Sequence, residues 1–175
     1  MVIRIEPLMK AVQFVKSKIK NQKSKIKVII FSPTGKQFDN KIASQLAKNY
    51  DNLILICGRY EGIDARLKKV VENLKPARPA GGLEISNLSI GPYVLTGGEI
   101  PAMTVIDAVS RQIPGVLGKN ESLEEKRGSL GMPVYTRPEI FTHKGKKYRV
   151  PAVLLAGNHK KINEWKTKQK TQKYN

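Results

Sequence analysis

Two glycine-rich segments carry the residues of this sequence that are best suited to chemistry. The first, at 57–64, reads CGRYEGID and follows an apolar run; the second, at 89–99, reads SIGPYVLTGGE and leads into an apolar helix pattern. Glycines allow backbone groups to approach a flat ligand closely, and Ile90, Val94 and Leu95 could cover its two faces. The pattern suits an adenine ring better than a phosphate, because the glutamate at the helix start would repel an anion.

Phosphate-binding signatures are absent from both segments. Neither GxGxxG nor GxxxxGK[ST] occurs in the chain, since Gly35-Lys36 is followed by Gln37. This disfavours a nucleoside triphosphatase or a dinucleotide-dependent enzyme. The alternative is that the glycines serve only tight turns, and the presence of two such segments after apolar runs weakens that alternative.

The elements that must position these segments alternate between strands and helices. Continuous apolar runs predict buried strands at 26–31, 53–57 and 85–90. Apolar residues at helical spacing predict helices at 7–19, at 65–74 after a cap at Asp64, at 100–113, and from a cap at Asp39 to Asn49. This order is typical of an α/β fold with a parallel sheet covered by helices on both faces.

The remaining segments are predicted to connect these elements. The Ser32–Gly35 cluster (SPTG) predicts a turn that ends the first strand, and residues 75–84 predict a loop. The polar residues 119–133 predict a flexible linker. A short apolar segment, Val150–Leu155, and a basic helix from near Asn158 follow it.

The positive charge is concentrated at the two ends of the chain. The net charge is +18, with a balance of +9 over residues 1–48, zero over 49–136 and +9 over 137–175. Two basic flanks around a neutral centre favour an anionic partner such as RNA or DNA. The alternative is that Lys-rich ends only keep the chain soluble.

Several classes of protein are disfavoured by composition. The lone Cys57 excludes an internal disulfide and is expected in the core at a strand end, while His143 and His159 are too few and too far apart for a metal site. Trp165 is expected to be a packing anchor rather than a platform for base stacking. No stretch is long and apolar enough to span a bilayer, and no signal segment opens the chain, so we expect a cytoplasmic protein.

Five segments together carry a family resemblance. The sequence resembles the bacterial tRNA (guanine-N1)-methyltransferase family, in order along most of residues 1–170, and Ser32–Gly35 resembles the family's first cofactor loop. The matching segments are CGRYEGIDAR at 57–66, SIGPYVLTGGEIPAM at 89–103, IDAVSRQIPGVLG at 106–118, YTRP at 135–138 and LLAGNH at 154–159.

The resemblance implies a fold, a reaction and partners. The family has a parallel α/β sheet whose C-terminal part forms a deep trefoil knot, a rare exception to un-knotted topology. It binds S-adenosyl-L-methionine, acts as a homodimer and makes 1-methylguanosine beside the anticodon of certain tRNAs. The implied organisation is a knotted cofactor-binding domain at 1–118, the linker at 119–133, and a shortened helical tRNA-binding domain at 134–175.

The resemblance also assigns site residues. Tyr60 and Glu61 are expected at the target base, and Arg111 is expected to stabilise negative charge on guanine O6. Guanine N1 must lose a proton before it attacks the methyl group, so a carboxylate base is needed. The residues expected to bind the cofactor are Gly58, Ile90, Gly91, Pro92, Tyr93, Val94 and Leu95.

Departures from the family leave two functions open. Counting forward from Arg111 places Lys126 where the family has its aspartate base, and a shift of one residue would put Glu125 there. By the same resemblance, we expect the family's first strand and part of its C-terminal domain to be absent from this sequence. The two hypotheses are therefore an active tRNA methyltransferase and a catalytically impaired relative that binds cofactor and RNA without turnover.

Overall fold

A computed structural model describes residues 1–21, 23–73, 83–117 and 132–171. The chain divides into two compact units, Met1–Leu117 and Gly118–Asn175, which are described separately. No helix within the described ranges is both long and apolar enough to cross a membrane.

The first unit is built around three parallel strands. They are β1 (Ile26–Gln37), β2 (Asn52–Ile56) and β3 (Leu83–Ser89), in the spatial order β2-β1-β3. Ile26 of the central strand is paired with Asn52 on one side and with Leu83 on the other. The predicted parallel sheet is confirmed, and all three strands end at the same edge.

Four helices cover the two faces of this sheet, as predicted. Alternate residues of β1 serve opposite faces, so Val28 packs beneath α1 and α3 whereas Ile29 packs beneath α2 and α4. Both side chains are fully buried, and burial of such a side chain contributes roughly 1.5–3 kcal/mol to stability. The helices are α1 (Ile5–Lys18), α2 (Asn40–Asn49), α3 (Arg66–Asn73) and α4 (Glu99–Ser110).

Two aspartates begin helices as the sequence predicts. The Asp39 side chain accepts a hydrogen bond from the backbone N–H of Ile42 at 2.7 Å, which satisfies a donor in the first turn of α2. Asp64 accepts from the backbone N–H of Arg66 at 2.9 Å at the start of α3. The Arg66 side chain also donates a hydrogen bond to this carboxylate, and this bond lowers the pKa of Asp64 to about 2.

The predicted turn at Ser32–Gly35 is wrong. Phe31 and Lys36 both pair with Leu88, so the four residues between them form a bulge and β1 continues to Gln37. A Cβ at Gly35 would lie 2.7 Å from the backbone carbon of Leu88, and glycine is therefore required where the bulge packs on β3. The bulge directs Ser32 and Pro33 to the carboxyl edge of the sheet.

Two further expectations are corrected. Leu83 and Glu84 belong to β3 rather than to the predicted loop, and most of that loop, at 75–82, lies outside the described residues. Cys57 is exposed, not part of the core. It follows the last residue of β2, where the chain has already left the helices that cover the strand.

The second unit contains a hairpin that the sequence analysis missed. Strands β4 (Ile140–His143) and β5 (Lys146–Arg149) pair antiparallel, and helices α5 (Ala152–Leu155) and α6 (His159–Thr171) follow. The predicted basic helix is confirmed, with Asn158 capping it through a 3.1 Å bond from the Lys161 N–H. The predicted linker, residues 119–133, lies mainly outside the described residues.

A polar cluster links the amino-terminal half of the sheet to α2. Glu84 of β3 accepts a 2.5 Å hydrogen bond from the Tyr50 hydroxyl and lies 3.1 Å from the Lys27 ammonium. The Lys27 ammonium also lies 5.3 Å from the centre of the Tyr50 ring. Burial first, and then the hydrogen bond to Glu84, raises the pKa of Tyr50 to about 12.

This raised pKa predicts a pH dependence of stability. Because an unfolded tyrosine titrates near pH 10, the stabilising contribution is complete below about pH 10 and is lost as the pH rises towards 12. The Tyr50→Phe variant lacks this titration, so its free energy of unfolding should fall less steeply than that of the parent chain between pH 10 and 12. Urea unfolding across this range measures the slopes, and parallel slopes would contradict the prediction.

Candidate active site

A cavity of about 640 Å³ lies at the carboxyl edge of the three-stranded sheet. This volume falls within the roughly 300–1,000 Å³ typical of small-molecule sites. All three strands contribute to its lining, represented by Ser32 in the bulge of β1, Gly58 after β2 and Ile90 after β3. The carboxyl ends of parallel strands are where open α/β sheets bind ligands. We call it the carboxyl-edge cavity.

The segment after β3 forms one wall through local hydrogen bonds. The buried Ser89 hydroxyl accepts from the Gly91 N–H at 3.1 Å and donates to the Gly91 carbonyl at 2.9 Å. The Tyr93 hydroxyl donates to the Ile90 carbonyl at 3.2 Å. A Cβ at Gly91 would overlap the Tyr93 ring, so glycine is what allows the ring to lie against this backbone.

The segment after β2 forms the facing wall around a tight turn. Tyr60 has a φ of 61°, in the left-handed region, and the Gly62 N–H donates to the Arg59 carbonyl at 3.2 Å. The Glu61 carboxylate lies 3.2 Å from the amino group of Met1. The turn therefore supplies an aromatic ring and a carboxylate to the cavity lining.

The two walls are joined where α4 begins. The Gly98 N–H donates to the Gly58 carbonyl at 2.8 Å, and Arg59 Nε lies 2.9 Å from Glu99 Oε1. The pKa of Glu99 is lowered first by a hydrogen bond from the backbone N–H of Glu99 to its carboxylate, and then by the Arg59 guanidinium. Partial burial, and secondarily the Glu99 charge, raises the pKa of the Cys57 thiol although the residue is exposed.

Most of the residues assigned to the site from the sequence line this one cavity. Arg111 and Pro92 are not part of the lining, and Glu125 lies outside the described residues. Arg111 follows the last residue of α4, whereas the cavity is at the first turn of that helix. The assigned residues that do line the cavity are Gly58, Tyr60, Glu61, Ile90, Gly91, Tyr93, Val94 and Leu95.

Several lining residues have no role assigned from the sequence, among them Gly98, Arg59 and Lys68. Gly98 joins the walls, and its only signal in the sequence is the Gly-Gly pair before a helix pattern. Arg59 lies within the CGRYEGIDAR segment, but only the fold reveals its ion pair with Glu99. Lys68 lines the cavity from α3, and no signal in the sequence places it there.

The cavity provides glycine backbone and apolar surface with few charges. Among the described residues of the lining, four are acids or bases other than tyrosine: Arg59, Glu61, Asp64 and Lys68. Arg59 forms an ion pair with Glu99, and Asp64 forms one with Arg66. Within the described ranges, no cluster of three or more His, Cys, Asp or Glu side chains could hold a metal ion. The site can position a flat, largely apolar group beside a carboxylate.

The close contact between Gly98 and Cys57 predicts that a single added methyl group lowers the stability of the fold. Gly98 has a φ of −83°, which any residue adopts, but a Cβ there would lie 2.6 Å from the Cys57 Cα. Gly98→Ala should therefore lower the free energy of unfolding by about 1–3 kcal/mol through overpacking.

Gly97→Ala is the matched control for this variant. A Cβ at Gly97 meets mainly the end of the flexible Glu99 side chain, which can move away, so the loss should stay below about 1 kcal/mol. Urea unfolding measures both variants. Equal stabilities for the two would show that the Gly98 contact does not constrain the site.

Comparison with known proteins shows which family the chain resembles. A family model described as tRNA (Guanine-1)-methyltransferase TrmD matches residues 1–175. A protein named tRNA (guanine-N(1)-)-methyltransferase from Dictyoglomus turgidum is 45% identical over 176 residues, covering 99% of this chain and 62% of the relative. The proteins of that name from Vibrio campbellii and Carboxydothermus hydrogenoformans are 45% and 42% identical, each over 97% of this chain.

The chain spans about three fifths of the length of these relatives, between 59% and 62% in the three cases. The match of the family model over residues 1–175, together with these identities, shows that the chain belongs to the tRNA (Guanine-1)-methyltransferase TrmD family.

Proposed function

We propose that this chain transfers a methyl group from S-adenosyl-L-methionine to N1 of the guanosine beside the anticodon in certain tRNAs. The observation that carries the proposal is the carboxyl-edge cavity, because it gathers eight of the residues that the family resemblance assigns to cofactor and target base. Membership of the family supports the reaction type. A tRNA substrate implies a cytoplasmic location.

The cavity lining fits the adenosine part of this cofactor. Gly58 and Gly91 contribute backbone to the lining, and Ile90, Val94 and Leu95 provide apolar cover for an adenine ring. Pro92 lies in the same segment and completes the proposed binding run. When bound, the cofactor supplies a methyl group on a sulfonium, which already carries a good leaving group, so the task of the protein is mainly placement.

The target guanine needs groups that handle a proton and a developing charge. We assign Tyr60 and Glu61, which share a wall of the cavity, to contacts with the base. A carboxylate must accept the N1 proton, and Glu125 is the residue proposed for it. Arg111 is proposed to stabilise the negative charge that develops on O6, where its guanidinium can donate a charge-assisted hydrogen bond.

The position of Arg111 favours a homodimer. The length of α4, at about 1.5 Å per residue, separates Arg111 from Gly98 by roughly 20 Å, so Arg111 is far from the cavity of its own chain. The same helix exposes an apolar face formed by Ile100, Met103 and Ile106, at 61%, 69% and 53% exposure. We propose that a second copy covers this face, and that each Arg111 serves the cavity of the other copy.

The second unit is proposed to hold the tRNA. Helix α6 carries Lys160, Lys161, Lys166 and Lys168 and a single acidic residue within its described side chains. Such a basic helix can neutralise backbone phosphates. We assign residues 134–175 to tRNA binding, residues 119–133 to a linker, and residues 1–118 to a cofactor domain whose C-terminal part is threaded into a trefoil knot.

Methyl transfer and cofactor binding together test the proposed function. Undermodified bacterial tRNA incubated with the chain and labelled cofactor should yield 1-methylguanosine. Calorimetry on the same preparation should show cofactor binding. Binding without transfer would instead indicate the catalytically impaired relative, and loss of both would reject the proposal.

The Arg111→Lys variant distinguishes an effect on turnover from an effect on cofactor binding. It keeps the charge but removes the planar pair of donors, so turnover should fall about tenfold or more. Cofactor affinity should stay within about twofold, because Arg111 is assigned to guanine O6 and not to the cofactor. Arg4→Lys is the matched control and should change neither quantity. A parallel loss of affinity and turnover in Arg111→Lys would contradict the assigned role.

The apolar face of α4 predicts an effect on assembly. Met103→Glu would place a charge in the proposed interface, where an unpaired buried charge is strongly unfavourable, so the dimer should dissociate and turnover should fall. Phe14→Glu, at a position with 62% exposure on α1, is the control and should leave the mass unchanged. Light scattering after size exclusion gives the mass. Retention of the dimer in Met103→Glu would refute this interface.

A further inference from the structure

The β4–β5 hairpin presents an aromatic face to solvent. Phe141 pairs with Tyr148 and His143 pairs with Lys146 across the two strands. Directly opposed residues of an antiparallel pair point to the same side, so these four side chains share one surface, which we call the hairpin face. Phe141 is 57% exposed and Tyr148 is 50% exposed.

The rings of the hairpin face are held in a defined arrangement. The Phe141 and His143 rings are nearly parallel, at an interplanar angle of 9° with centroids 6.3 Å apart. The Phe141 and Tyr148 centroids are 6.4 Å apart, and the Lys146 ammonium lies 5.8 Å from the centre of the Tyr148 ring. Three rings and a cation therefore lie next to one another on one face.

The turn of the hairpin fixes this arrangement. Lys144 and Gly145 are the two connecting residues and have φ values of 47° and 74°. Positive φ at both positions is characteristic of the type I′ turn, whose twist matches that of paired strands. The register that aligns Phe141 with Tyr148 is thus set locally by a two-residue turn.

The positive charge of the hairpin indicates which class of partner it can bind. Residues 140–149 contain four lysines and arginines and no acidic residue. Exposed rings interleaved with cations are the arrangement by which proteins bind single-stranded nucleic acids, since bases stack on the rings and phosphates meet the cations. A duplex keeps its base faces covered, so it would use only the cations.

We propose that the hairpin face binds unpaired nucleotides of the RNA substrate by stacking their bases on Phe141 and Tyr148. The proposal rests on the proposed function for the identity of the partner as an RNA. It adds a contact surface outside the carboxyl-edge cavity, on which the bases of a loop rather than a paired stem are held. Lys146 and its neighbouring cations would bind the phosphates of the same nucleotides.

Removal of one ring tests the proposal. Fluorescence anisotropy compares a labelled single-stranded RNA of about twelve nucleotides with the same strand in a duplex. Tyr148→Leu should weaken binding of the single strand by about 5- to 100-fold and leave binding of the duplex within about twofold. Tyr148→Phe keeps the ring and should restore the affinity, which shows that the loss is not due to an unfolded hairpin.

Phe14→Leu is the matched control, because Phe14 is another exposed ring with a lysine ammonium nearby, at 5.1 Å. It should leave both affinities unchanged. Equal losses for the two RNAs in Tyr148→Leu, or no loss, would overturn the proposal while the proposed function stands. A change of oligomeric mass in Tyr148→Leu would identify the face as a contact between copies and also overturn it. Failure of the parent chain to bind either RNA or tRNA would overturn both proposals.

Discussion

The carboxyl-edge cavity depends on one close backbone contact, between Gly98 at the start of α4 and the end of β2. The Gly98 N–H donates to the Gly58 carbonyl, and the space beside the Cys57 Cα admits no side chain at position 98. This contact closes the segment after β3 over the strand ends. It also fixes where α4 begins, and with it the direction in which the helix carries Arg111 away from the cavity.

Local signals in the sequence predict the elements, and long-range pairing determines the details that they miss. Apolar runs identify β1, β2 and β3, and Asp39 identifies the start of α2. The bulge at Ser32–Gly35 was predicted as a turn, because only the pairing of Phe31 and Lys36 with the same Leu88 reveals that the strand continues. The hairpin was missed because its strands are four residues each and its face is exposed, so it lacks the apolar alternation of a core strand.

For the site as well, local motifs predict some features and the fold determines the others. The glycine-rich segments are visible in the sequence, and eight of the assigned residues line one cavity in the structure. The distance between Arg111 and that cavity cannot be predicted from the motifs, because motifs give the order of residues along the chain and not their separation in space. The exposed apolar face of α4 offers an explanation for this distance. A second copy bound to that face would supply its own Arg111 to the cavity.

Hydrogen–deuterium exchange with and without S-adenosyl-L-methionine tests most directly whether the carboxyl-edge cavity is the cofactor site. Amide exchange in residues 58–61 and 89–98 should slow when the cofactor is bound, because both walls line the proposed site. Exchange at the opposite edge of the sheet, near Asn52 and Leu83, should not change. Protection confined to residues outside these two walls, or no protection at saturating cofactor, would show that the cofactor does not bind in this cavity.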